Sequence, residues 1–285
     1  LDVLLLIVIF TAIGGLLSVL AAGVFLLLPE HYRESALPHG ISFAIGALLA
    51  GAFCGLIPHA FEDVAASDIP VLSATLMAGI LVFFVLEKLL VWRHCHAHAC
   101  EMHGEDAHHS HNSAENSHQH GRRAAGTFII LGDGIHNFVD GILVGAAFLT
   151  DVHLGMVTSL AVAAHEIPQE VGDFAILLHS GYERRKALLY NVLASLTTVA
   201  GGVLAYFGLG DMQASLPYFL VLAASSFIYI AVADLIPSLH VKTDIKTSLQ
   251  QIGFILAGVA LIVSMQHLAH RYEAADHRAI GAIEK

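Results

Sequence analysis

The chain has 285 residues, 56% of them hydrophobic and only 13% charged, about half the charge of an ordinary soluble domain. Its formal net charge of −11 excludes the basic balance that a nucleic-acid partner requires, and three cysteines are too few and too scattered for a disulfide framework. These figures describe an all-α polytopic membrane protein, one transmembrane domain over 1–285, with the lipid bilayer as its first partner.

Apolar stretches long enough to cross a bilayer as helices, roughly 20 residues at 1.5 Å rise, fall at about 2–28, 40–64, 70–92, 125–149, 155–179, 187–208, 214–237 and 247–269. The first starts with no basic region or cleavage site and reads as a spanning helix rather than a signal peptide. In the second, Cys54 reads as a small buried hydrophobe. The end of that stretch, after Pro58, carries His59, Glu62 and Asp63. They suit an entry point for a cation, or an ordinary wetted helix end.

After the third stretch comes a tract at 94–120 with nine histidines among 27 residues. It is too polar to form a packed core and reads as a flexible loop. His94, Cys95, His96, His98 and Cys100 open it with ligands for soft or borderline divalent metal. A metal buffer or sensor and an inert polar linker both fit.

The distribution of Lys and Arg sets the orientation. Counting helix-end residues, the loops after stretches 1, 3, 5 and 7 hold Arg33, Lys88, Arg93, Arg122, Arg123, Arg184, Arg185, Lys186, Lys242 and Lys246, and the loops after 2, 4 and 6 hold none. That split places the odd-numbered loops and the histidine tract in the cytoplasm and both termini outside. Short outer loops suggest a bacterial inner membrane.

The fourth and fifth stretches depart from the apolar pattern. His136 and Asp140 are four apart and share a helix face, with Asn137 beside them. In the next stretch His165 and Gln169 share one face, and Glu166, Glu170 and Asp173 make an adjacent stripe. A tight turn near 151–153 makes the two helices antiparallel neighbours. Positions 138 and 167 lie at similar distances from that turn, so the clusters meet at one depth. Ionisable groups at such depth are costly unless they face a partner, a water-filled route or an ion. Imidazole with carboxylate suits Zn²⁺ and other first-row divalents. Pro168 should bend the fifth helix and free a carbonyl near residue 164.

Around this centre, Asn191 lies in the sixth stretch, with Ser195 one turn deeper, as a ligand or ligand support. Asp133 precedes His136 by three as an exit residue or a packing hydrogen bond. Asp173 extends the acidic stripe, while Asp234 and His240 flank the inner end of the seventh stretch as exit residues or interface groups.

The strings His136-Asn137-Phe138-Val139-Asp140-Gly141 and His165-Glu166-Ile167-Pro168-Gln169-Glu170-Val171-Gly172-Asp173 resemble the paired motifs of the ZIP (Zrt/Irt-like) metal transporters, particularly the LIV-1-like branch. The resemblance covers nearly the whole chain. It implies eight transmembrane helices, with helices 1–3 and 6–8 an inverted repeat around 4 and 5. It also implies a binuclear mid-membrane site: His136, Asp140, His165 and Gln169 for one ion; Asn137, Glu166 and Asn191 for the other; Gln169 or Glu170 between them. Some members carry His or Glu where this chain has Gln169. The implied activity is elevator-type uptake of divalent metal into the cytoplasm. Zinc is the expected substrate, ahead of iron, manganese and cadmium, with no organic cofactor, and a homodimer is the expected assembly. A metal exporter or proton–metal exchanger is the alternative. An intramembrane metalloprotease needs a second His four residues after His165; position 169 is Gln, so no enzyme is expected.

Overall fold

In lipid, long uninterrupted apolar runs satisfy their backbone groups only as helices or closed barrels, and among the described residues every regular element is helical. The computed structural model describes residues 2–62, 64–98, 111–210, 212–240 and 244–283. Within these, side chains are described except at 30, 34, 35, 87, 89–98, 111–129, 179 and 269–283. Asp63 and Cys100, and the side chains of His94, Cys95, His96 and His98, therefore lie outside the described residues.

Helix α1 (Val3–Leu27) starts at Asp2, whose carboxylate accepts from the Leu4 amide at 3.2 Å. Next come α2 (Glu30–Ala50), a π-helical turn (Gly51–Leu56) and α3 (Ile57–Glu62), which together make one rod. After α4 (Ile69–His98), α5 (His111–Thr150) and α6 (Val152–His179), the chain continues through α7 (Arg184–Leu209) and α8 (Leu216–Tyr229). A second π-helical turn (Ile230–Leu235), α9 (Ile236–Leu239) and α10 (Ile245–Ile283) complete it. The backbone of α4 and α5 continues as helix into both flanks of the histidine-rich tract, further than the sequence pattern indicates.

Among the described residues, six segments are long and apolar enough to cross a membrane: Val3–Leu27, His31–Glu62, Ile69–Leu86, Arg184–Leu209, Gln213–Leu239 and Ile245–Leu268. The second starts well before residue 40, the boundary read from hydropathy. Helices α5 and α6 carry imidazoles and carboxylates within their apolar stretches and are not among these six.

The two π-helical turns share a cause. Each ends in Leu-Ile-Pro, Leu56-Ile57-Pro58 and Leu235-Ile236-Pro237. Proline has no amide hydrogen and clashes with the carbonyl four residues back. The residue before each proline bonds five residues back instead, Ile57 to the Ala52 carbonyl and Ile236 to that of Ala231. Cys54 and its neighbour Phe53 lie on the outward side of the first turn and are exposed. This corrects the reading of Cys54 as buried: hydropathy says that a helix meets apolar surroundings, not which face a neighbour covers.

The strongest helix pairs form matched sets. Helix α1 packs on α6 as α7 packs on α5, and α2 packs on α10 as α8 packs on α4. Exchanging α1, α2 and α4 with α7, α8 and α10, and α5 with α6, maps these pairs onto one another. Backbone contact replaces side-chain packing at several of these crossings. A Cβ at Gly46 would collide with the Ile255 carbonyl, one at Gly258 with the Phe43 carbonyl, one at Gly141 with the Thr198 carbonyl, and one at Gly201 with the Phe138 carbonyl.

A single residue, Asp151, joins α5 to α6, a tighter connection than the turn read from sequence. Its carboxylate caps α6 by accepting from the Leu154 amide at 2.7 Å. At the other end α6 stops where Gly181 takes φ +85°. The Gly181 and Tyr182 amides bond back to the Leu178 and Leu177 carbonyls, the pattern that a left-handed glycine permits. Pro168 is accommodated inside α6, which runs on through it.

Candidate metal centre

Helix α5 turns one face to lipid and another to the protein. Leu131 and Ile135 are 57% and 61% exposed, whereas Asp133, Asn137 and Asp140 are buried. From α6 come His165 and Glu166, adjacent in sequence and therefore about 100° apart around the helix. The cluster forms because α5 lies over the seam between them.

The distances define a compact four-residue centre. His165 Nε2 lies 3.2 Å from Asp140 Oδ2 and 3.4 Å from His136 Nε2. His136 Nε2 lies 3.7 Å from both Asp140 Oδ2 and Glu166 Oε1, and His165 Nε2 lies 3.8 Å from Glu166 Oε1. One ligand atom from each residue fits within 4.8 Å of every other. Three of the residues are fully enclosed; the His136 side chain keeps 25% exposure. His165 Nδ1 faces the Ala161 carbonyl at 3.3 Å, so the proton belongs on Nδ1 and the Nε2 lone pair is left for the centre. Phe227 of α8 approaches the same ring edge-on, centroids 6.3 Å apart.

Neither oxygen of Asp140 and neither oxygen of Glu166 has a hydrogen-bond donor among the described residues. Leaving a buried acceptor unsatisfied costs about 1–3 kcal/mol per group, more when it is charged. A divalent cation supplies what this oxygen-rich, imidazole-flanked space lacks, and its ligands are of the right kind for zinc.

The other residues singled out from sequence sit around this centre in different ways. Asn137 is hydrogen-bonded at both ends of its amide. The nitrogen donates to the Asp133 carboxylate and carbonyl at 2.8 and 3.2 Å, and the oxygen accepts from Thr198 at 2.8 Å. Asn191 donates to the Glu170 backbone carbonyl at 3.3 Å, and Ser195 donates to Glu170 Oε1 at 2.9 Å. Gln169 is half-buried and faces Asp133 rather than joining the four-residue group. Asp173 and Asp234 lie within electrostatic reach of one another, and Asp234 of His136. His240 is exposed at the end of α9. Glu62 is exposed, and His59 holds its own-helix Gly55 carbonyl at 2.9 Å through Nδ1. Thr198 was not singled out from sequence: a threonine in an apolar helix gives no sign of bonding across to a neighbour.

The centre is sealed on one side and open on the other. Towards Asp151, residues 143–148 of α5 are continuously buried, and Leu154, Val157 and Ala161 of α6 pack with Phe227. In the opposite direction Gly172 and Asp234 are exposed, and Gln169 and Asp173 are half-exposed. A small cavity separates Glu166 from α1 and is lined by Thr11, Asn137, Ser159 and Thr198.

Comparison with known proteins agrees with this geometry. The family model described as "ZIP Zinc transporter" matches residues 1–266. The zinc transporter SLC39A7 of Rattus norvegicus is 30% identical over 342 aligned positions, covering 90% of this chain and 72% of that protein. The zinc transporter ZIP13 of Pongo abelii is 30% identical over 239, covering 78% and 65%. The zinc transporter ZIP4 of Homo sapiens is 42% identical over 134, covering 47% of this chain but 20% of that protein. The matched part of this chain thus spans about a fifth of the ZIP4 sequence.

Proposed function

This chain belongs to the ZIP zinc-transporter family, and from that premise we propose that it carries Zn²⁺ across the membrane, into the cytoplasm, through the centre on α5 and α6. The observation that carries the reading is the convergence of His136, Asp140, His165 and Glu166 with all four carboxylate oxygens free of donors. The relatives' names concern zinc, and this donor set fits it; iron, manganese and cadmium are weaker candidates because carboxylate-rich sites also admit them.

Transport requires that the ion be held and then let go. The centre opens towards the end of α6 at which the basic run Arg184-Arg185-Lys186 lies, and that run marks the cytoplasmic side. That opening supports reading the arrangement as inward-facing. Asp133, Gln169, Asp173 and Asp234 offer oxygens on the way out, a succession of weaker holds for an ion leaving two imidazoles. His59 and Glu62 mark the opposite mouth. The matched helix pairs support eight spans built as an inverted repeat. In that arrangement α1, α5, α6 and α7 move as one unit against α2, α4, α8 and α10, bringing the centre from one face to the other.

Purified protein in liposomes tests this directly. Inward flux of radiolabelled zinc down its gradient is expected, and Asp140→Ala with His165→Ala should abolish it while the elution profile and helical content stay the same. Equal flux in that double variant would end the proposal.

A further inference from the structure

We propose that Gly172 sets the clearance of the route from the centre to the cytoplasm, zinc leaving across a strip of α6 that carries no side chain there. The inference rests on reading the four-residue cluster as the zinc site and its open side as the exit.

Residues 165, 169, 172 and 176 lie along one face of α6. Exposure grows along it, from buried His165 through half-buried Gln169 to exposed Gly172 and Ile176. A glycine inside a helix needs a cause, because alanine is the better helix former. At Gly141, Gly201 and Gly258 the cause is backbone contact with a neighbouring helix. At Gly172 a Cβ would meet nothing within 4 Å, and the backbone is ordinary helix. Neither packing nor conformation calls for glycine, and what remains is the space itself.

Gly208 and Gly253 are equally unobstructed, but their surroundings differ. Gly208 follows Phe207, which is 70% exposed, and Gly253 lies between exposed Ile252 and Phe254, as on a lipid-facing surface. Gly172 is bordered on α6 by Gln169 and Asp173. Asp173 in turn lies within electrostatic reach of exposed Asp234, on the π-helical turn after α8. Carboxylates around an unobstructed glycine mark water rather than lipid.

The other half of the site supplies the contrast. The exchange of α5 with α6 that matches the helix pairs sets His136 against His165, and so Leu143 against Gly172 and Val144 against Asp173. Leu143 and Val144 are 3% and 1% exposed and belong to the sealed core. Leucine closes the way towards Asp151, and glycine leaves the way out open.

A size series at position 172, read as zinc flux in liposomes, tests the inference in chains that share the same histidine-rich tract. Gly172→Ala should carry zinc as the wild type does. Gly172→Leu and Gly172→Trp should lower flux about tenfold or more, equivalent to about 1.4 kcal/mol at the barrier, without lowering the unfolding temperature. Gly208→Leu and Gly253→Leu should change neither. Gly172→Cys, in a parent with Cys54, Cys95 and Cys100 replaced by serine, separates water from lipid. Methanethiosulfonates of either charge, present on both sides of the vesicles, should react at 172 and block flux, and a reductant should restore it. They should leave the thiol of Gly253→Cys untouched. Failure to react at 172 would overturn the inference, as would wild-type flux in Gly172→Leu or a lowered unfolding temperature that marks a packing role. A block by the cationic reagent alone would also overturn it, since charge rather than clearance would then control the exit. Each of these results leaves zinc transport standing. A wild type without flux removes the transport proposal, and the inference with it.

Discussion

Gly141→Ala should damage the protein although it adds a single methyl group and improves helix propensity. Glycine in a helix interior is worse than alanine by about 0.5–1 kcal/mol, so on propensity alone the variant gains. At this position, however, the new Cβ would meet the Thr198 carbonyl oxygen, the Thr198 carbonyl carbon and the Gly202 amide nitrogen, all backbone atoms of α7. None of them can rotate aside, so α5 and α7 must separate by roughly 1.5 Å to reach ordinary contact. Overpacking of this kind costs about 1–3 kcal/mol, which outweighs the propensity gain. The separation also pulls Thr198 from Asn137 and disturbs the adjacent carboxylate of the cluster, Asp140. Gly253→Ala is the control, because nothing lies within 4 Å of a Cβ there; it should be neutral or slightly stabilising. Thermal unfolding in detergent and zinc flux in liposomes would be measured on both. A Gly141→Ala protein as stable and active as Gly253→Ala would refute the close backbone contact.

Phe227→Ala should lower stability by about 3–5 kcal/mol, since the ring is fully buried, and should weaken zinc affinity through His165; unfolding and zinc titration check both. Asp151→Ala removes the cap on α6 and should cost about 1 kcal/mol, while flux per folded molecule stays unchanged. Ser195→Ala strips Glu170 Oε1 of its donor and should destabilise by about 1–3 kcal/mol, measured in the same unfolding assay.

The meeting of α5 and α6 was legible because two independent patterns agreed. The four-residue spacing of His136 and Asp140 put them on one face, and the short connection forced the helices antiparallel. The distances across the two helices, 3.2 to 3.7 Å, follow from both. Which stripe of α6 faces the centre was not legible. His165 with Gln169, and Glu166 with Glu170, are equally good helical pairs, and the choice depends on where α5 crosses. The structure takes one member of each, His165 and Glu166, and leaves Gln169 beside Asp133. The role of α7 was hidden for a related reason. A threonine hydroxyl in an apolar helix usually bonds its own backbone, as Thr11 does to the Ile7 carbonyl at 2.7 Å. Nothing local distinguishes it from Thr198, which bonds across to Asn137. The prolines at 58 and 237 announced a break in each helix, but not that both breaks would be π-helical turns.

Zinc should reverse the order of stability between the wild type and Glu166→Met. With the metal chelated, the wild type keeps two buried Glu166 oxygens without donors, a cost of about 1–3 kcal/mol each. Methionine has similar length and no such requirement, and its flexible thioether can extend into the neighbouring small cavity. Replacing buried charge with well-packed apolar volume is often stabilising by 1–4 kcal/mol. The variant should therefore unfold at the higher temperature in chelator. With free zinc at about 100 times its dissociation constant, the wild type gains about 2.7 kcal/mol through binding only the folded state. The variant has lost a ligand and gains much less, so the two curves should cross as zinc is added. The same carboxylate would then be a burden on the empty fold and a support for the loaded one, as expected where a residue is retained for its ion rather than for packing. A wild type that is the more stable protein in chelator, or zinc stabilising both equally, would show that Glu166 is a structural group and not a ligand.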